Sequence, residues 1–526
     1  MRPVRFGVAA GTVMLALLVF SAPASATTFC VPGFFDACPD NGTNQARTDL
    51  GDAMTDDGSD GIPDKVMIDS GTITSTGSIV AGGIDPLEVT GAGRDKTFLT
   101  SSSTGNISVL RINNRKGTKM SDLTIVVPAS FPDEFGNGSA AQIGDSELTR
   151  VDVEVRNSDS SAFASMVGSN LIRDSHVYAA EGSKVRWAFV TGGAPGKSTI
   201  IGARVEDPVY GFVADNPDTS IEVKSSRVIG PTAYGAWAGS GGQISLENTL
   251  IATYGGGALT ADPENGESDP TIVTAVSSTM VNTGTSTSPG IQVDIPNSIT
   301  AGDAFVTVTD SIIRGYGATW DLFVPIGPGF AAANLNVVYS NFPPVAAPGS
   351  AGNVNVGSPT NINQDPLFVS PQDFRLKPGS PSVDAGNPAS TLTTDIDGSP
   401  RPRDGDGNRT SINDQGAFEF QPTCATAPAL CPTVSKVKFR FRAGKGGSLR
   451  FLLSLAAKVR AVFTPVPAHR KPKRKVVKIT RKLKAGQVKI KLGKHRLMPD
   501  RYKLKITAYD KTGHSAKPLI KKVTVK

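Results

Sequence analysis

One short pattern recurs eight times between residues 148 and 342: an apolar residue, four mostly polar or small residues, and a second apolar residue. The first anchors are Leu148, Ile172, Ile200, Val223, Leu246, Val276, Val308 and Val337. The second anchors, five residues on, are Val153, Val177, Val205, Val228, Ile251, Val281, Ile313 and Phe342. The third residue after the first anchor carries a hydroxyl six times: Ser175, Ser226, Thr249, Thr279, Ser311 and Ser340. Around the anchors the chain alternates, as in Val151-Asp152-Val153-Glu154-Val155, which is the period of a strand. Repeats 23 to 32 residues apart cannot each bury an apolar face alone, so neighbours must stack. The pattern predicts a coil of short strands with a sharp corner between the anchors. Anchors stack inward, small polar residues stack at the corner, and rungs lie ~4.8 Å apart. Propeller blades need ~40–45 residues each, and a sandwich would not keep one motif in register eight times.

Composition agrees. The chain has 526 residues, of which 56 are Gly, and 19% are charged, below the usual ~25%. This excludes a polytopic membrane protein, a coiled coil and a collagen. Short Val-, Ser- and Thr-rich runs between glycines predict an all-β protein.

Looser coils precede the repeat at Val66-Met67-Ile68, Leu87-Glu88-Val89, Leu110-Arg111-Ile112 and Leu123-Thr124-Ile125. From about Asp64 to Glu419 the sequence resembles the right-handed single-stranded parallel β-helix proteins of the pectate-lyase-like architecture. Residues 44–54 predict a short helix with Ala46, Leu50 and Met54 on one face, closing the open end of the solenoid, where bare strand edges invite aggregation. At the far end come Asp365-Pro366-Leu367-Phe368, Asp373-Phe374-Arg375-Leu376, Pro378-Gly379-Ser380-Pro381 and Val383-Asp384-Ala385-Gly386. Asp395-Ile396-Asp397-Gly398, Arg401 and Asp414-Gln415-Gly416-Ala417-Phe418-Glu419 follow. This series resembles the terminal region of exported bacterial β-helix proteins of the "choice-of-anchor" type.

The predicted organisation is a signal peptide over 1–26, an N-terminal cap region over 27–64, the β-helix with its terminal region over 65–421, a linker over 422–435 and a basic β-sandwich module over 436–526. Arg2 and Arg5, the apolar stretch from Gly11 to Phe20 and the small residues Ala24-Ser25-Ala26 make the signal. The apolar stretch is shorter than the ~20 residues of a membrane span, and no other segment reaches that length. The chain is therefore expected outside the cell or on the cell wall, with no transmembrane span once mature. Export favours disulfides. Cys30, Cys38, Cys424 and Cys431 allow three connectivities, and pairing of near neighbours, Cys30–Cys38 and Cys424–Cys431, is the simplest.

Charge splits the chain. Residues 436–526 hold 29 Lys+Arg and 2 Asp+Glu, or +27; residues 27–435 hold 23 and 45, or −22. The basic part alternates strongly, as in Val488-Lys489-Ile490-Lys491-Leu492, and predicts an antiparallel sandwich with one face of each strand outward. Pro499-Asp500-Arg501-Tyr502 and Ala508-Tyr509-Asp510-Lys511-Thr512-Gly513 resemble bacterial immunoglobulin-like or fibronectin-like modules. The charge predicts a polyanionic partner, and outside a cell that means an acidic polysaccharide or wall polymer rather than nucleic acid. Lysines on strand faces also simply discourage sheet stacking.

The register predicts one outward patch: Asp152 and Glu154, then His176 and Tyr178, Arg204 and Glu206, and Arg227. Acidic-sugar lyases of this architecture need a cation beside a carboxylate and a basic residue to take the adjacent proton. Arg204 or Arg227 fits the base, and Asp152, Glu154 and Glu206 fit calcium ligands. A hydrolase would instead pair two carboxylates. The plainer reading is a solvated face with ion pairs between rungs. Asp56, Asp60 and Asp64 form an acidic stretch that predicts a calcium loop, and Asp404, Asp406 and Asn408 begin like one, although Arg409 stands where glycine is required. Residues 192–198 approach a phosphate-binding loop but lack its first glycine and its helix. Two functions stand open: a monomeric, non-catalytic wall-associated scaffold or adhesin that binds carbohydrate, and a polysaccharide lyase or glycosidase carrying an accessory module.

Overall fold

In the computed structural model the described residues are 26–526 except 56–61, 84, 106, 113–114, 132–137, 158, 192–194, 264–267, 286, 297–300, 325–330, 409, 423–430, 467–474, 495, 510–514 and 516. The predicted signal, apart from Ala26, lies outside them. The main body is a parallel β-solenoid of about nine turns.

Each turn lays strands on three faces. The first face holds the first anchors, in strands such as Gly196–Ile201, Thr219–Lys224 and Gln243–Glu247. The second holds the second anchors, in Arg204–Glu206, Arg227–Ile229 and Leu250–Thr253. The third is a ten-stranded sheet that includes Val185–Thr191, Pro208–Asp215, Tyr234–Gly239 and Gly257–Asp262. Phe163, Phe189 and Phe212 stack from rung to rung inside, with centroids 5.1 and 5.6 Å apart.

The anchor register is as the repeat predicts from Leu148 to Leu246, with Ile172 beside Ile200, Val223 beside Leu246, and Val228 beside Ile251. The sixth coil differs by one residue. Leu246 pairs with Ala275, not Val276, and Ile251 pairs with Met280, not Val281. Val276 faces outward, and Val281 is buried in a separate cluster. With this correction the corner hydroxyl of the sixth coil is Ser278 rather than Thr279.

The corner itself is a single left-handed residue. Arg150, Asp174, Gly202, Ser225, Asn248, Ser277, Asp310 and Tyr339 all have φ between 48° and 69°. That conformation costs a non-glycine residue ~1–2 kcal/mol. The following hydroxyl offsets it. Ser226, Ser278, Ser311 and Ser340 each donate to the carbonyl two residues back, at 2.8–3.0 Å. The same oxygens accept the backbone N–H of Ala203, Thr249, Ser278 and Ser311 one coil earlier, at 3.1–3.2 Å.

At the N-terminal end Thr28–Val31 pairs in parallel with Asp64–Ile68, and Cys30 is disulfide-bonded to Cys38. The helix spans Leu50–Thr55, later than predicted, because Asp49 accepts the N–H of Asp52 and caps it. Leu50, Ala53 and Met54 are buried, whereas Ala46 lies exposed in a two-residue strand. Cys431 is buried; Cys424 lies outside the described residues.

Ile362 makes a last parallel bridge, to Asn341, and residues 363–421 do not extend the coil. They turn back along the second face. Phe374, Ile396 and Phe418 pack on Leu250, Ala252 and Val281, so these strands are buried on both faces. Three corner residues serve as docking points: Asn248 accepts from Arg401 at 3.0 Å, Asp310 accepts the Asn387 N–H at 2.5 Å, and the Tyr339 carbonyl accepts from Gln415 at 3.0 Å.

The C-terminal part forms two small antiparallel sheets around one apolar core. One contains Val434–Arg442, Gly446–Leu453 and Gly486–Leu492; the other contains Val477–Leu483, Ala457–Pro465, Asp500–Tyr509 and Leu519–Val525. Leu449, Phe451, Val459, Phe463, Leu504 and Ile506 fill the space between them. Among the described residues no helix is long and apolar enough to cross a membrane.

Candidate functional site

The register aligns His176, Arg204 and Arg227 in one column of the second face, with Glu154 beside Tyr178 one step away. Every charged member of this patch has a partner. Arg204 binds Glu206 at 2.5 Å, and Glu206 lies 3.5 Å from His176 Nε2. Glu154 accepts from Arg156 at 2.7 Å, and Asp152 accepts from Arg94 at 3.1 Å and from the His176 N–H at 2.8 Å. Arg227 binds Asp397 at 2.5 Å, and Asp397 also accepts from Arg375 at 2.7 Å. Asp397 and Arg375 come from the terminal region. Arg375 and Asp373 close one side of a cleft of about 440 Å³ whose lining includes Arg204, Arg227, Tyr254, Phe374 and Phe418.

The calcium expectations divide. Asp56 and Asp60 lie outside the described residues. Asp64 is buried and accepts the Thr27 N–H at 2.7 Å, tying the strand Thr28–Val31 to the strand Asp64–Ile68. In the terminal region, oxygens of Asp384, Asp404 and Asp406 lie within 4.8 Å of one another, and these three residues could hold a cation. Asp384 also accepts the backbone N–H groups of Gly405 and Asp406, and burial holds its carboxyl above the ordinary value.

A second constellation lies on the third face, away from the patch the repeat singled out. Trp187 pairs with Tyr210, and Tyr210 with Tyr234, so three aromatic residues stand in one column on successive coils. Trp237 lies beside them, 5.8 Å from Tyr210 between ring centroids. All four are half-buried. Arg186, paired with Asp159 at 2.9 Å, lies over the Trp187 ring at 4.9 Å. On the next coil the Trp187–Tyr210–Tyr234 column passes to Gly257, and carboxylates stand instead in the Trp237 column and the column two residues further on. Trp237 pairs with Thr260, and two residues on, Gly239 pairs with Asp262. Gln292 pairs with Asp321, and two residues on, Asp294 pairs with Phe323. Trp237 Nε1 donates to Asp262 at 3.4 Å, and the Tyr234 hydroxyl donates to Gln292 Oε1. Burial pushes the Tyr234 hydroxyl up to about 12, aided by Tyr210, Asp262, Asp294 and Asp321. Burial, and then Asp321, hold the Asp294 carboxyl above its ordinary value.

The arrangement can hold a flexible polar chain lengthwise. Aromatic faces take up the C–H side of a pyranose ring, and carboxylates and amides take its hydroxyls. The sequence carried a signal for it: Trp187, Tyr210 and Tyr234 are 23 and 24 residues apart, the spacing of the coils themselves.

No family model matches the chain, and no curated protein matches it in sequence. Among solved structures it is similar to the A-module of mannuronan C-5 epimerase AlgE6 from Azotobacter vinelandii, at 13% identity and a TM-score of 0.29, over 54% of this chain and 91% of that one. It is similar to the catalytic unit of a GH87 α-1,3-glucanase from Streptomyces thermodiastaticus, at 14% identity and 0.31, over 57% of this chain and 62% of that one. It is also similar to ORF18 of Geobacillus virus E2, at 10% identity and 0.36, over 91% and 82%. Likeness at this level carries no functional argument.

Proposed function

We propose that the chain is an exported, cell-surface glycan-binding protein. The third face of its solenoid holds a polysaccharide strand, and its basic module attaches it to an anionic wall polymer. The observation that supports the reading best is the Trp187–Tyr210–Tyr234 column with Trp237 at its side, and with Asp321 in the Trp237 column and Asp262 and Asp294 two residues beyond that column on the coils that follow. Stacking platforms followed by hydroxyl acceptors, one coil at a time, suit a repeating sugar chain. The patch around Arg204 and Arg227 has the character of a structural ion-pair network, since each cation already faces a carboxylate.

A second reading has its own observation. Burial, and then Asp321, hold the Asp294 carboxyl above its ordinary value, and Asp321 stands diagonal to it on the next coil, two residues before its register partner Phe323, so a general acid there would have a second carboxylate nearby. In that case the third face cleaves the glycan it binds.

The test uses the mature protein with a panel of neutral and acidic polysaccharides, with and without calcium. Binding, reducing ends and unsaturated ends are followed together. Glycan binding should fall at least tenfold in a Tyr210→Ala/Trp237→Ala variant and stay in an Arg204→Ala/Arg227→Ala variant. Reducing ends that vanish in Asp294→Asn would establish hydrolysis. Unsaturated ends that vanish in the double arginine variant would move the site to the second face and overturn the proposal.

A further inference from the structure

The outward face of the sheet formed by Val434–Arg442, Gly446–Leu453 and Gly486–Leu492 has a feature that charge counting alone does not reveal. Lys438 stands directly opposite Arg450, and Arg450 directly opposite Lys489. Three cations on three adjacent strands therefore form an unbroken row at strand spacing, ~4.8 Å per step. All three are exposed, and neither Asp nor Glu occurs in these strands. Like charges placed opposite one another destabilise a sheet. The chain could have staggered them, and on the module's other sheet it does. There Val462 separates Lys478 from Lys505, Arg460 lies between Thr480 and Thr507, and cations meet only in twos, as Lys458 with Lys482 and Lys503 with Lys522.

The row also borders a hollow. Lys436, Lys438, Arg450 and Lys489 surround a groove of about 430 Å³ with Leu452 and Val488 in its lining. A bulge makes this possible: the pairing slips between Ser435 and Lys438, and Lys436 takes φ 50°. Bulges re-aim side chains in this way. The central Arg450 offers a planar fork of donors that fits an oxyanion, and the flanking lysines act as point charges.

We infer that this groove is the attachment site, and that it takes a linear polymer bearing one oxyanion per repeat unit, laid across the strands along the Lys438–Arg450–Lys489 row. The inference rests on the attachment role proposed above and gives it a place. Occupancy would relieve the repulsion within the row, so polymer binding and module stability are linked.

The experiment uses the full chain at physiological salt with two probes, polyphosphate and polygalacturonate, which separate phosphate from carboxylate recognition. One variant carries Lys438→Gln, Arg450→Gln and Lys489→Gln. A charge-matched variant carries Arg460→Gln, Lys478→Gln and Lys505→Gln on the other sheet. The first should weaken binding of the preferred probe at least tenfold and the second less than threefold. Without polymer the first variant should melt no lower than the parent, because repulsion has been removed. Equal losses in both variants would overturn the groove and leave attachment by diffuse charge standing. A parent chain that binds neither probe would overturn the attachment role as well.

Discussion

Ser311 accepts the backbone N–H of Ser278, one coil earlier, at 3.1 Å, and donates to the Thr309 carbonyl at 2.8 Å. One hydroxyl thus satisfies a corner on two rungs. Ser311→Ala leaves the Ser278 N–H without a partner in a buried corner, and should cost about 1–3 kcal/mol. Ser311→Thr keeps the oxygen and should cost much less. Denaturant midpoints of the two variants decide the matter; equal midpoints would mean that the hydroxyl ladder does not hold the corner.

Met280 and Val281 are neighbours with opposite surroundings. Met280 lies in the solenoid core, and Val281 lies under Phe418 and Phe374 of the terminal region. Val281→Asp should therefore detach the terminal region and leave the coil standing. Limited proteolysis should cut rapidly within 363–421 while the far-ultraviolet strand signal persists. Met280→Asp should lose that signal instead.

Those two residues also show what the sequence conveyed and what it did not. The repeat placed every coil from 148 to 251 in correct register because each carries a Val, Ile or Leu at both anchors. In the sixth coil the true anchors, Ala275 and Met280, are flanked by Val276 and Val281, and Ser277, Ser278 and Thr279 offer three hydroxyls in a row. Nothing local tells the inner valine from the outer one, because a distant segment supplies the second apolar environment. The outward direction of Arg204 and Arg227 followed from strand alternation. The Arg227–Asp397 bond spans 170 residues and did not. The aromatic column was in principle readable, but its residues sit on the third face, where the apolar repeat has no fixed motif.

Asp310 is a corner residue whose carboxyl is pushed up to about 6 by burial, against the lowering effect of the Asn387 N–H and then of Arg401. The folded state therefore holds a proton that the unfolded state releases near 4. Stability from this group is fullest below pH 4 and falls as pH rises to about 6, by up to about 3 kcal/mol. Asp310→Asn keeps the acceptor and tolerates the left-handed corner, so it should flatten this part of the stability profile between pH 4 and 6. Unfolding midpoints measured at half-unit pH steps would show the difference, and an unchanged slope in the variant would assign the dependence elsewhere.

Arg401 and Glu419 form an ion pair at 3.1 Å with both side chains fully buried. Glu419 also accepts the N–H groups of Asp414 and Arg403, and burial holds both the Glu419 and Asp414 carboxyls above their ordinary values. Glu419 thus holds the buried cation, while Asp414 beside it accepts the Asp384 and Phe420 N–H groups. Arg401→Met removes that cation without leaving a void, and should cost about 3–5 kcal/mol because a buried charge loses its partner. The loss depends on pH in a defined direction. Without Arg401 the folded state must keep a proton on Glu419, so it binds more protons than the unfolded chain, and stability rises as pH falls. The deficit at pH 8 should shrink at pH 5, and adding Glu419→Gln to the variant should remove most of that pH dependence. A deficit equal at both pH values would mean that Glu419 stays ionised without Arg401, held by its two backbone donors alone.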